Sequence, residues 1–147
     1  MRFGPIPVPG LPAPMPAPSF RYRIDADHGL ALAQIVGDAT GEYIASCVRA
    51  LQSDPAWSDD FDVIWDERGV TVLDVTPHGL DEMVAAQTNG QSGLDVIVSD
   101  RASREAVFLL YARRTRAAGR PALVCRTLDE ALDAVGQTAL PAALDVA

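Results

Sequence analysis

The sequence predicts an α/β fold: a mixed sheet of about five strands, an antiparallel hairpin first and parallel strands after it, with about four helices. Three observations predict it. Short apolar runs alternate with stretches of helical periodicity between residues 20 and 136. Four helix-start signals, at Thr40, Thr76, Asp100 and Thr127, each follow a strand-like run. The 147 residues are enough for one core and not for a second domain.

Phe20, Tyr22 and Ile24 alternate with Arg21, Arg23 and Asp25, which is the period of a half-buried strand. The turn residues Asp27-His28-Gly29 then lead into the apolar run from Leu30 to Val36, completing a hairpin. Thr40 suits the N-cap of a helix whose Tyr43, Ile44, Cys47, Val48 and Leu51 share one face, and Pro55 ends it. Phe61 to Trp65 reads as a strand with Asp66 at its C-terminal end, and Val70 to Val75 as a second short apolar run. Thr76-Pro77 opens a helix to about Thr88, because threonine suits the cap and proline the first helical position. Leu94 to Val98 is the next strand. Asp100 is expected to cap a long helix from about Arg101 to Ala118, closed by Gly119 before the strand Pro121 to Cys125. Thr127 and Glu130 form a T-x-x-E capping box for a last helix stopped by Gly136. Helices between the later strands require parallel crossovers.

Outside this domain, assigned to residues 20–136, seven of the 11 prolines lie before residue 19, so residues 1–19 are expected to form an arm with no fold of its own. Residues 137–147 read as a short C-terminal tail. The hydrophobic fraction of 48 % fills a core, yet no run approaches the ~18 apolar residues of a membrane span. A secretory apolar core is also missing at the N-terminus, so the expected location is the cytoplasm, without membrane insertion. The net charge of −8 disfavours nucleic acid as a partner. All 12 basic residues are arginine, which removes Schiff-base chemistry and the P-loop lysine. Cys47 and Cys125 are too few for a disulfide framework or a four-cysteine zinc site. With the two histidines in no zinc spacing, no metal or other cofactor is expected.

The element order, the strand Phe61-Asp62-Val63-Ile64-Trp65-Asp66, the run Leu73-Asp74-Val75-Thr76 entering a helix, and the closing Cys125-Arg126-Thr127-Leu128-Asp129-Glu130-Ala131-Leu132 together resemble the STAS domain and its SpoIIAA-like bacterial relatives. The resemblance spans about residues 20–136. It implies a regulatory protein that binds a kinase or anti-sigma partner. In the anti-sigma antagonist members an Asp-Ser-Ser-Gly turn holds a phosphorylated hydroxyl. Here that turn reads Asp74-Val75-Thr76-Pro77, which makes Thr76 the candidate phosphoacceptor, with valine and proline in place of the flanking serine and glycine.

Asp66, Asp74 and Asp100 each sit at or near a strand end, where open α/β sheets place ligands, and His78 lies close to Thr76. An acid–base or Mg²⁺ site and plain capping both account for aspartates there. No G-x-S-x-G, G-x-G-x-x-G or Walker sequence occurs. Six arginines, Arg101, Arg104, Arg113, Arg114, Arg116 and Arg120, lie on the long helix and its exit, offset there only by Glu105, giving +5 in a chain of −8. They are read either as a solvated, dipole-complementing helix or as a contact for an acidic partner, including a second copy of this chain. The function expected from the sequence is therefore that of a non-catalytic regulatory or scaffold protein that binds another protein. A small-molecule module of the same fold, for a nucleotide or lipid, is the alternative. A phosphoswitch at Thr76 and an aspartate-based enzyme stand behind both.

Overall fold

The computed structural model describes residues 17–145. Its elements run β1 (Ser19–Asp25), β2 (Leu30–Thr40), α1 (Gly41–Gln52), β3 (Asp62–Asp66), β4 (Val70–Asp74), α2 (Pro77–Thr88), β5 (Asp95–Val98), α3 (Ala102–Ala117), β6 (Ala122–Cys125), α4 (Leu128–Ala134) and a 3-10 turn (Ala142–Leu144). This is the expected mixed α/β architecture. β1 and β2 pair antiparallel, and all other pairings are parallel in the order β1-β2-β3-β5-β6.

The sixth strand does not widen that sheet. β2 pairs with β3 through Leu30–Gln34 and with β4 through Gly37–Thr40, so β4 continues the line of β3 after the Glu67-Arg68-Gly69 turn. β2 is correspondingly longer than the apolar run to Val36 predicts. Gly37, at φ +95°, accommodates the register shift in a conformation that a side chain disfavours.

From β2 onward each crossover steps the same way across the sheet, to β3, β5 and β6. Right-handed connections therefore put α1, α2 and α3 on one face. The main core lies there: Ala31, Ala33 and Ile35 of β2, Val63 and Trp65 of β3 and Ile97 of β5 meet Ile44, Val48 and Leu51 of α1, Leu80 and Met83 of α2, and Phe108 and Tyr111 of α3. Alternation sends Leu30, Leu32, Ile64, Val96 and Val98 to the opposite face, under Ala131 and Leu132 of α4 and Leu144 of the 3-10 turn. Leu144 is fully buried, so chain beyond Gly136, read from the sequence as a tail, contributes to this second core. At the other end the arm boundary moves back, because Ser19 already pairs with Val36. Residues 1–16, the bulk of the expected arm, lie outside the described residues, as do residues 146 and 147.

Three of the four predicted caps form as side-chain bonds. Thr40 Oγ1 accepts from Tyr43 N at 3.1 Å, Thr76 Oγ1 from Gly79 N at 3.0 Å, and Thr127 Oγ1 from Glu130 N at 3.1 Å. The fourth needs correction: α3 is capped by the backbone of Arg101, with no side-chain bond, and Asp100 lies one residue outside. The T-x-x-E box also closes differently, since Glu130 Oε2 accepts from Arg126 N at 3.4 Å and not from the cap residue. α1 and α2 approach closely at their starts, where a Cβ on Gly41 would lie 2.7 Å from the Gly79 carbonyl carbon.

Candidate functional site

The loops after β4, β5 and β6 bring the predicted residues to one end of the sheet without gathering them into a reaction centre. Thr76 is exposed, and its hydroxyl is engaged twice, accepting from Gly79 N and lying 3.4 Å from Glu42 Oε1. His78 is exposed and faces Glu82 at 3.8 Å. Asp74 and Asp100 are exposed at their strand ends. Asp66 is buried on the α4 side of the sheet and is clamped by Arg68, through Nε and Nη2 at 2.9 Å each. Burial alone would raise the Asp66 carboxyl, but the Arg68 bonds outweigh it and hold the group below its ordinary range. Among the described residues no three His, Cys, Asp or Glu side chains converge as a metal site.

The six arginines separate by helix face. Arg104 and Arg120 are buried and are therefore unavailable as partner contacts, which corrects the sequence reading for both. Arg104 donates to the carbonyls of Val70 and Thr71, tying α3 to β4. Arg120 donates to Gly93 O at 2.9 Å, Gln87 O at 2.9 Å and Gln87 Oε1 at 2.7 Å, locking the exit of α3 to the end of α2. Arg114 pairs with Asp81 of α2 at 3.0 Å, and Arg116 donates to Ala122 O of β6 at 2.8 Å. The side chains of Arg101 and Arg113 are exposed and make no ion pair or hydrogen bond within the described residues.

Beneath α3 lies a layer of polar groups that the sequence reading did not single out. Asp95 is fully buried and accepts from the Tyr111 hydroxyl. Burial raises its carboxyl above the ordinary range, against the pull of Arg120 and Tyr111. Glu67 is buried beside Trp65, and burial together with the Asp95 charge pushes it up to about 8, with Arg104 opposing. Glu67 Oε2, Trp65 Nε1 and Asp95 Oδ1 have no hydrogen-bond partner in the protein. Glu67, Trp65, Gln87 and Tyr111 also line a core cavity of about 10 Å³, enough for one water and no larger ligand. One signal was legible: Asp95 interrupts the apolar run Leu94–Val98.

The outer side of α3 differs. Leu109 and Leu110 are 50 % and 43 % exposed; Leu123 of the edge strand β6, 42 % exposed, pairs with Val96 and so faces the α4 side of the sheet instead. These are three of the five large apolar side chains most exposed among the described residues. On the α3 side, Leu109 and Val124 floor a groove of about 190 Å³ rimmed by Asp100, Arg101, Glu105, Arg126 and Glu130. That volume is below the ~300 Å³ of ordinary small-molecule sites. Open polar grooves of about 430 and 460 Å³ at the ends of α1 and α2 share Arg49, Gln52 and Asn89.

No helix among the described residues is long and apolar enough to cross a membrane. No family model matches the chain, and no curated protein matches it. Among solved structures it is similar to an anti-sigma factor antagonist from Mycobacterium paratuberculosis, at 16 % identity and a TM-score of 0.52, over 81 % of this chain and 94 % of that one. At that identity the likeness concerns the fold, and it agrees with the strand order and the antiparallel opening hairpin: the chain has the STAS-like α/β fold of that antagonist.

Proposed function

We propose that the protein is a non-catalytic regulator that binds protein through the outer side of α3. The observation that carries this reading is the exposure of Leu109 and Leu110 beside the unpaired Arg113 on α3, because apolar side chains grouped with arginine characterise protein contacts. The name of the structural neighbour, an antagonist of an anti-sigma factor, supports a protein partner. Thr76 acts here as a helix cap: its hydroxyl is already engaged, and a phosphate on it would meet the Glu42 carboxylate. The apolar core cavity holds only a water, and the larger grooves at the ends of α1 and α2 are open and polar, which supports protein binding over the small-molecule alternative.

The test is retention of protein on the immobilised full chain from a lysate of the native cell, scored by mass spectrometry against a Leu109→Asp variant. A protein retained in stoichiometric amount by the parent chain, the chain itself included, and lost by the variant is the expected result. Retention of nothing by the parent chain, or retention indifferent to Leu109, overturns the reading.

A further inference from the structure

Glu105, Leu109 and Arg113 lie four residues apart along α3, so they form one stripe on its exposed side: an acid, an apolar centre and a base at equal spacing. Such a stripe is its own complement when a second helix runs antiparallel to it. With Leu109 on a two-fold axis, Leu109 meets Leu109 of the other copy, Glu105 meets Arg113, and Arg113 meets Glu105. An isologous interface needs this kind of self-complementarity, and a stripe of one sign would lack it. Two of the three side chains are free to take part, and the third is engaged only at the surface. Arg113 has no partner within the described residues, Leu109 is half exposed, and Glu105 makes only an exposed pair with Arg126 at 3.2 Å, leaving room for a second cation.

We infer that the occupant of this surface is a second copy of the chain, docked as an antiparallel α3–α3 pair centred on Leu109. This rests on the reading of α3 as a protein-contact surface and names its partner. Charge singles out this stripe, since the exposed stripe through Ala106 and Leu110 carries no acid to meet a base of the other copy. The stripe through Arg104, Phe108, Tyr111 and Thr115 is buried, and Arg114 is held by Asp81. Strand addition at β6 is disfavoured as the mode, because Arg116 occupies the Ala122 carbonyl at the strand edge. Charge complementarity also fits the composition: a chain of −8 repels its copies overall, and the stripe presents each acid to a base.

The test is the mass of the full chain in solution, by sedimentation equilibrium across a concentration series. The parent chain is expected to dimerise, less tightly as salt rises, because exposed charges are screened over ~8–10 Å. Arg113→Glu makes the stripe wholly acidic and Glu105→Arg makes it wholly basic; each is expected to raise the dissociation constant roughly tenfold or more. Mixing these two variants is expected to restore a dimer containing one copy of each, and the double swap Glu105→Arg with Arg113→Glu is expected to restore the homodimer. Arg113 is exposed and Glu105 partly so, and circular dichroism checks that each variant is folded. A parent chain that is monomeric up to about 1 mM overturns the proposal. So does a dimer that both single reversals leave intact, or one that neither mixing nor the double swap rescues. If the chain is monomeric yet retains another protein through Leu109, the dimer falls while the contact surface stands.

Discussion

Arg104 and Arg113 sit about two and a half turns apart on the same helix and meet opposite surroundings. Arg104 points under α3, buried, with its guanidinium bonded to the carbonyls of Val70 and Thr71. Arg113 points outward, with no partner within the described residues. Arg120, just past the helix, repeats the first case with three bonds to Gly93 and Gln87. The positive charge of the segment is therefore not one patch. Its inner members fasten α3 to β4 and α2, and of its outer members only Arg101 and Arg113 are left for contacts beyond the chain. Counting charges along a helix measures neither role until each side chain is assigned to a face.

The inner side offers the sharpest ways to test that division. Arg120→Met leaves three acceptors unpaired and removes the cation that pulls on the buried Asp95. Truncating a buried charge partner typically costs about 3–5 kcal/mol, and urea unfolding at neutral pH should show a loss of that size. A loss below about 1 kcal/mol would place Arg120 with the surface arginines and break the comparison.

Glu67 gives a pH-dependent test of the same buried layer. Its carboxyl is pushed from 4.5 up to about 8 in the folded protein. At acid pH, below the unfolded value, both states hold the proton and the group leaves stability unchanged. As pH rises between the two values only the unfolded chain releases it, so stability falls by about 1.4 kcal/mol per pH unit, and the loss levels off above the folded value. Glu67→Gln lacks this titration. Its stability relative to the parent chain should climb steadily from weakly acid to weakly alkaline pH, the comparison cancelling groups common to both. Parallel stability curves through that window would mean that Glu67 is hydrated and ionised in the fold.

The outer side should yield the smallest change. Arg113→Gln is expected to leave the unfolding free energy of the dilute, monomeric chain within about 0.5 kcal/mol, as for surface substitutions away from special features. A larger loss in that urea titration would show that Arg113 supports the fold and would remove it from the contact surface.

Much of the architecture was legible in the residues. Phe20, Tyr22 and Ile24 set the period of β1, and Thr40, Thr76 and Thr127 marked helix starts that the structure places at the same residues. Asp100 failed as a cap because the alternative one residue on, the backbone of Arg101, begins α3 where Arg104 can reach the Val70 carbonyl. The candidate site was less legible. The inward position of Arg104 had a signal, since it shares helical spacing with the buried Phe108, Tyr111 and Thr115. That of Arg120 had none, because it follows the helix and is buried by a turn through Gly119 against the end of α2.

Local periodicity, capping chemistry and turn residues thus determined which segments become strands and helices, because each depends on neighbours a few residues away. The tertiary structure alone decided that β4 continues β3 alongside β2, that Leu144 closes the second core, and that Glu67, Asp95 and Arg120 share one buried layer. Those outcomes join residues far apart in the chain. Packing selects such contacts by shape, burial and charge at sites that no local pattern encodes.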